Sequence, residues 1–201
     1  MRDIYVDQKN GVLLNKLGIT DSELLRKAES DITIVRLKEI LEENDFKYDY
    51  KYYLALHKKM FDDIYPFAGE IRKIDMEKYE KILSGFPMIF GDSNKILEKL
   101  KNAFKEKKVD FSLSNAEITK GIVNFMSTLW EIHPFREGNT RTIITYVIKY
   151  VKSNELSFDE NLLLHNFAYI RDALVLSVYN EPKYLEKIIF DSIERGMKLW
   201  N

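Results

Sequence analysis

The residues best suited to chemistry stand side by side. His133, Pro134, Phe135, Arg136, Glu137, Gly138, Asn139, Thr140 and Arg141 bring a base, an acid, a glycine, an amide and an arginine into one run. A histidine can take a proton from a hydroxyl near neutral pH, because its unperturbed pKa is about 6.5. Glu137 offers a hard oxygen ligand to Mg²⁺, with phosphate oxygens and water left to complete the shell. Gly138 and Asn139 tolerate left-handed dihedrals and make a tight turn, and the helix that opens after it presents unpaired backbone N–H groups to an anion. Arg141, in the first turn of that helix, opposes the helix dipole unless an anion lies between them. The sum is a site for a metal-bound polyphosphate beside a histidine base. Phe135 has no polar group and reads as the inward anchor of the run.

Two apolar helices must position these residues. Pro134 steers His133 out of helical dihedrals and so ends the helix before it. Ser114-Asn115-Ala116-Glu117 has the form of a capping box, and Ile118, Ile122, Phe125, Met126 and Leu129 follow at helical spacing, with Phe125 and Trp130 assigned to the core. After the run, Ile143, Ile144, Val147, Ile148 and Val151 nearly encircle their helix, which should therefore be central and buried. Burial of both helices would hold the loop between them rigid, as electrostatic catalysis requires.

Earlier in the chain, Thr20, Asp21 or Ser22 can cap a helix from about Glu23 to Glu43, with Leu24, Ala28, Ile32, Val35 and Ile40 near one face. Asp49 caps Tyr50 to Phe61, with Tyr53, Leu56 and Met60 inward and His57 read as a packed or solvated histidine. Pro66 and Gly69 break the helical pattern, and Ser84-Gly85-Phe86-Pro87 permits a short hairpin. Asp92 or Ser93 caps a helix to about Glu106. Ser157-Phe158-Asp159 opens one helical stretch through about Val178 that contains His165. Pro182 starts the last helix, to about Leu199, with Trp200 at its end.

The string His-Pro-Phe-Arg-Glu-Gly-Asn-Thr-Arg over 133–141 resembles the signature of the Fic (Fido) family, His-Pro-Phe-x-Asp/Glu-Gly-Asn-x-Arg, at every fixed position. Tyr65, Ala68, Gly69 and Arg72 resemble the family's Tyr-x-x-Ala-Gly-x-x-Arg segment, which precedes a flap. The resemblance implies a mainly α fold, a helical bundle with a small β-hairpin flap over the active site, as one domain over 1–201 with its core at about 15–190. It implies transfer of AMP from ATP to a Ser, Thr or Tyr hydroxyl of a target protein. His133 would be the base, Glu137 the Mg²⁺ ligand, and Gly138, Asn139, Thr140 and Arg141 the nucleotide and phosphate contacts. The flap, at about 71–90, would align the target segment, with Lys78 and Ile82 positioning it.

The chain departs from the family at two positions. Many members carry a second arginine three residues after the first, gripping the γ-phosphate, where this chain has Ile144. Thr140 stands where glycine is commonest. Loss of the γ-phosphate grip relaxes the demand for a triphosphate, so transfer of another nucleotide-derived or phosphate-containing group is one alternative, and a catalytically weak regulatory protein on the same fold is another. Many members are also inhibited by a helix bearing Ser/Thr-x-x-x-Glu-Gly/Asn. Ser127 with Glu131 and Ser177 with Glu181 have that spacing, but neither glutamate is followed by Gly or Asn. The expectation is no in-chain inhibition of that kind, which leaves room for a separate inhibitory, antitoxin-like protein and for a homo-oligomer.

Composition narrows the partners further. A net charge of −1 over 201 residues exerts no general pull on nucleic acid or anionic membrane, so phosphate binding must be local. With no cysteine, disulfides, thiolate metal sites and cysteine nucleophiles are excluded together. The charged stretch from Met1 to Val12 has no signal-peptide core, and nowhere do about 18 apolar residues run together. The expected setting is cytoplasmic.

Overall fold

Side-chain caps fix where the helices begin. In the computed structural model, which describes residues 3–199, the Asp21 carboxylate accepts the Leu24 N–H at the start of α1 (Ser22–Glu42). Asp49 accepts the Tyr52 N–H at the start of α2 (Tyr50–Phe61). One 3-10 turn, Ser93–Lys95, leads from Asp92 into α3 (Ile96–Glu106). Ser114 and Glu117 cap each other's backbone at the start of α4 (Asn115–Ile132), as the capping-box spacing predicts. Next come α5 (Asn139–Ser153), α6 (Glu160–Leu164), α7 (Phe167–Val178) and α8 (Lys183–Leu199). Trp200 lies outside the described residues.

The centre belongs to α4 and α5. The former packs on α3, α5, α7 and α8, the latter on α1, α2, α4 and α7. Every residue of α5 from Thr142 to Val151 is buried, as its all-round apolar pattern predicts. Beside it lies an aromatic layer in which Tyr146 meets Tyr53 and Phe104 edge-on at 5.5 Å, and Phe104 meets Phe125 at 5.3 Å. Such pairs each add about 0.5–1.5 kcal/mol beyond the area they bury. The one charged residue in this stretch, Lys149, is satisfied from α1. Its Nζ donates to the Ile40 and Glu43 carbonyls at 2.7 and 2.9 Å and pairs with Asp45 at 2.9 Å. A cation suits the negative end of a helix, so α5 finishes α1.

The hairpin pairs β1 (Glu77–Tyr79) antiparallel to β2 (Pro87–Ile89), with Lys78 opposite Met88. A 3-10 turn over Lys81–Leu83 and left-handed Ser84 and Gly85 return the chain. The strand's period of two turns Met88 inward and leaves Tyr79 and Ile89 70% and 74% exposed.

Two expectations are corrected. On α1 the buried residues are Leu25, Glu29, Thr33 and Ile40, whereas Leu24 and Val35 are 55% and 59% exposed. Polar Glu29 and Thr33 take inward positions because both bond Arg141, so apolar periodicity alone points to the neighbouring face. The stretch from 160 to 178 is two helices rather than one. Asn166 ends α6, donating its side-chain amide to the Leu162 carbonyl at 2.7 Å and its backbone N–H to Leu163. Among the described residues no helix is long and apolar enough to cross a membrane.

Candidate active site

At the end of α4 the chain leaves helical space in a single residue: His133 adopts φ 46°, ψ 63°. A left-handed conformation costs a non-glycine residue about 1–2 kcal/mol, so something must hold it. Buried Arg72 does this. Its Nε donates to the His133 carbonyl at 2.8 Å, its Nη atoms donate to the Ile74 and Gly91 carbonyls, and its backbone N–H donates to Pro134 at 2.8 Å. The guanidinium also lies at the negative end of α4.

The His133 ring is 1% exposed, stacked on Phe90 at 3.6 Å and edge-on to Trp130 at 4.8 Å. Neither ring nitrogen has a hydrogen-bond partner among the described residues. Burial first, then the charges of Lys78 and Arg72, hold its pKa well below the ordinary histidine value. The imidazole is neutral at pH 7 with a free lone pair.

Four residues on, Glu137 is about one-third exposed. Its Oε1 accepts the Gly138 N–H at 3.1 Å, and its Oε2 lies 3.7 Å from Lys78 Nζ. Burial alone would raise its pKa. The charge of Lys78, the Gly138 N–H and the nearby Arg141 outweigh that and keep the carboxylate below its usual range.

The turn between His133 and α5 is closed from within. Asn139 Oδ1 accepts the Phe135 N–H at 3.1 Å and Asn139 Nδ2 donates to the Phe135 carbonyl at 2.8 Å. Its side chain is thus spent on the loop, leaving its backbone amide for a ligand. Phe135 is buried as the anchor and stacks on His57 at 3.7 Å. His57 is packed, as its sequence context suggests, but it also touches the site. Its Nδ1 accepts the Gly69 N–H at 2.8 Å, so the proton is on Nε2, which donates to the Glu137 carbonyl at 3.0 Å. Burial pushes the His57 pKa down to about 3, so it stays neutral. Gly138 has φ 81°, and a Cβ there would lie 2.4 Å from the Phe61 ring.

Thr142 is the first residue of α5 to donate into its helix, bonding Gly138 at 3.1 Å. The N–H groups of Asn139, Thr140 and Arg141 are the unpaired donors of a helix N-terminus. Arg141 arrives with a counter-charge: its Nη2 bonds Glu29, its Nη1 donates to Thr33 Oγ1 at 2.9 Å, and its guanidinium lies over Phe61 at 5.1 Å. Glu29 also accepts the Tyr65 hydroxyl. An in-chain glutamate therefore holds the signature arginine, outside the Ser/Thr-x-x-x-Glu spacing. Ile144 is wholly buried in the core.

His133, Glu137, Gly138, Asn139, Thr140 and Arg141 all meet one cavity of about 1420 Å³, whose opposite wall is α1. The flap overhangs it, fastened by buried Glu80, whose carboxylate accepts two bonds from Arg171 Nη2 on α7 at 2.8 and 2.6 Å. Lys78 points at the signature, while Ile82 sits exposed on the flap's turn. The sequence carries no signal for Glu80 with Arg171, which are 91 positions apart. Glu29 and Thr33 leave only a faint one, a polar interruption at i, i+4, i+8 after Leu25.

Comparison with known proteins agrees with this arrangement. The profile of the Fic/DOC family matches residues 47–150. The chain is 30% identical over 146 residues to the protein adenylyltransferase VbhT of Bartonella schoenbuchensis, covering 72% of this chain but 30% of VbhT. It is 30% identical over 152 residues to the "Probable protein adenylyltransferase y4lH" of Sinorhizobium fredii, covering 76% and 77%. In fold it is similar to the BepC protein of Bartonella tribocorum, solved with bound AMPPNP, at TM-score 0.77 and 18% identity over 94% of this chain and 95% of that one. It is likewise similar to the N-terminal Fic domain of a Bartonella quintana effector, solved with bound ADP, at TM-score 0.74 and 20% identity over 94% and 93%. A profile match across more than half the chain, which takes in the signature loop, establishes that this chain belongs to the Fic/DOC family.

Proposed function

We propose that the chain transfers AMP from ATP to a hydroxyl of a target protein, with His133 as the base. One observation carries the reading: His133, whose neutral imidazole has no hydrogen-bond partner among the described residues, the ionised Glu137 and the open first turn of α5 line one cavity. Relatives named as protein adenylyltransferases support it. In the step, the target's hydroxyl oxygen attacks the α-phosphorus and its proton passes to His133. The bond from that phosphorus to the β-bridging oxygen breaks, and pyrophosphate leaves. The amides of 139–141 supply donors to phosphate oxygens as charge builds there.

Glu137 fits Mg²⁺ as a single hard ligand facing the cavity. Among the described residues no group of three His, Cys, Asp or Glu could hold a metal unaided, so the donor set suits an ion that shares its shell with phosphate and water. Bound there, Mg²⁺ would neutralise phosphate charge. The chain's own part is to keep Glu137 ionised and aimed, through the Gly138 N–H and the peptide that His57 holds. Among the described residues the β1 edge facing away from β2 is unpaired, which supports pairing with an extended target segment near Lys78 and Ile82.

Labelled ATP, Mg²⁺ and cell lysate test the proposal. The unaltered chain should label a protein, and His133→Ala should lower the rate by about 10²–10⁴, the usual worth of a general base. Equal labelling by both would sink it. A second reading, in which another donor is used, draws on Ile144: no cation reaches a γ-phosphate from that position. A thermal-shift panel of ATP, GTP, UTP, CDP-choline and diphosphates separates the two, since a strong response to ATP alone rejects the second.

A further inference from the structure

The flap sends one charged side chain toward the signature. On β1, Glu77 and Tyr79 face solvent, and Lys78 between them turns the other way. Lys78 Nζ is 3.7 Å from Glu137 Oε2, an attraction too long for a hydrogen bond. The neighbouring arginines are bound more firmly. Arg141 bonds Glu29 directly, Arg171 bonds Glu80 at 2.6 and 2.8 Å, and Arg136 bonds Asp3 at 2.7 and 2.9 Å. Among these cations around the loop, Lys78 is the one loosely held. Its charge also bears on both His133 and Glu137. Lys78 forms part of the wall between the main cavity and a small recess of about 190 Å³ beside Asp75 and Arg136, so its ammonium has room to turn.

We propose that Lys78 is a phosphate-contacting residue of the nucleotide site, presented by the flap, which exchanges Glu137 for a phosphate oxygen when nucleotide binds. The inference rests on the nucleotide reading above and adds a ligand to it. Glu137 keeps Oε1 on the Gly138 N–H, so Oε2 is the oxygen left for an incoming cation. A cation arriving there displaces the ammonium, whose nearest anion is then the phosphate. Because Lys78 is fixed in β1, the same exchange draws the flap onto the loaded site and orders the strand edge beside it.

Calorimetric titrations of the full chain, Lys78→Met and Lys78→Arg with ATP and with adenosine, each in EDTA and in Mg²⁺, test this. A charge-assisted hydrogen bond contributes enough for Lys78→Met to weaken ATP binding about tenfold. Adenosine affinity should stay within about twofold, since adenosine has no phosphate for the ammonium to meet. Lys78→Arg should retain most of the ATP affinity, and the Lys78→Met loss should be smaller in EDTA, where no cation displaces the ammonium from Glu137. Amide exchange at 77–79 should slow when the full chain binds ATP and not when Lys78→Met does. Unchanged ATP affinity in Lys78→Met, or an equal loss for ATP and adenosine, overturns the proposal. A full chain that binds no nucleotide overturns the nucleotide reading itself, a different result from tight ATP binding indifferent to Lys78.

Discussion

His133 keeps its lone pair in mild acid because protonating it would put a charge on a buried ring, beside those of Lys78 and Arg72. The acid limb of the transfer rate against pH should therefore fall below about 6.5, the value of a free histidine. A limb at or above that value would contradict the electrostatics drawn here. The same burial has a cost in stability. The unfolded chain binds protons at both His57 and His133 below about pH 6.5, while the folded chain leaves His57 neutral down to about 3 and His133 neutral well below its ordinary value. Stability should then fall with pH by about 1.4 kcal/mol per unit for each histidine. The depressed carboxyl of Glu137 acts in the same direction but lower on the scale, holding its contribution until pH drops below about 4.5, so the window from 6.5 to 4.5 belongs to the histidines. Urea midpoints at pH 7, 6 and 5 measure the slope, and His57→Gln should roughly halve it. At Gly138, alanine meets both a left-handed φ and the Phe61 ring, so Gly138→Ala should destabilise by about 2–4 kcal/mol in the same assay.

Among the elements, those with a clean apolar period were legible. The capping box of α4, the all-round burial of α5 and the bounds of α2 follow from residue types alone. The inward face of α1 did not, because Glu29 and Thr33 sit where a hydrophobic pattern looks for leucine. The break at Asn166 rests on one side-chain amide reaching back to Leu162, a local bond that no periodicity reports. The candidate site divides the same way. The nine residues from 133 to 141 are contiguous and readable, whereas their supports, Arg72, His57, Glu29 and Arg171, come from distant segments and appear only on folding. Arg171 gives the clearest test at this scale. Arg171→Ala leaves the buried Glu80 carboxylate without its partner, so amide exchange over 77–89 should quicken while protection in α4 and α5 is unchanged. Unaltered exchange in the flap would show that the ion pair does not fasten it.

Over the whole molecule, the stretch matched by the family profile is less than the structure needs. Residues 47–150 include the signature but omit α1, which supplies Glu29 and Thr33 to Arg141, and α7, which supplies Arg171 to the flap. They also omit Leu174, Val175, Leu185 and Ile189, all fully buried where α7 and α8 pack together and against α4. A fragment of 47–150 should fail to fold cooperatively, with weak near-ultraviolet dichroism and poor amide dispersion in NMR spectra, while the full chain shows one sharp transition.

Arg141 and Lys149 stand about two turns apart on α5 and reach Glu29 and the end of α1 respectively. Two polar teeth at matched intervals make α1 a keyed part. Sliding it by one turn would strand a guanidinium and an ammonium at once, so no half-shifted seating is stable. The cavity wall that α1 forms consequently has a fixed gauge, and ligands of different length must be met by the flap or by side-chain rotamers, never by sliding the helix.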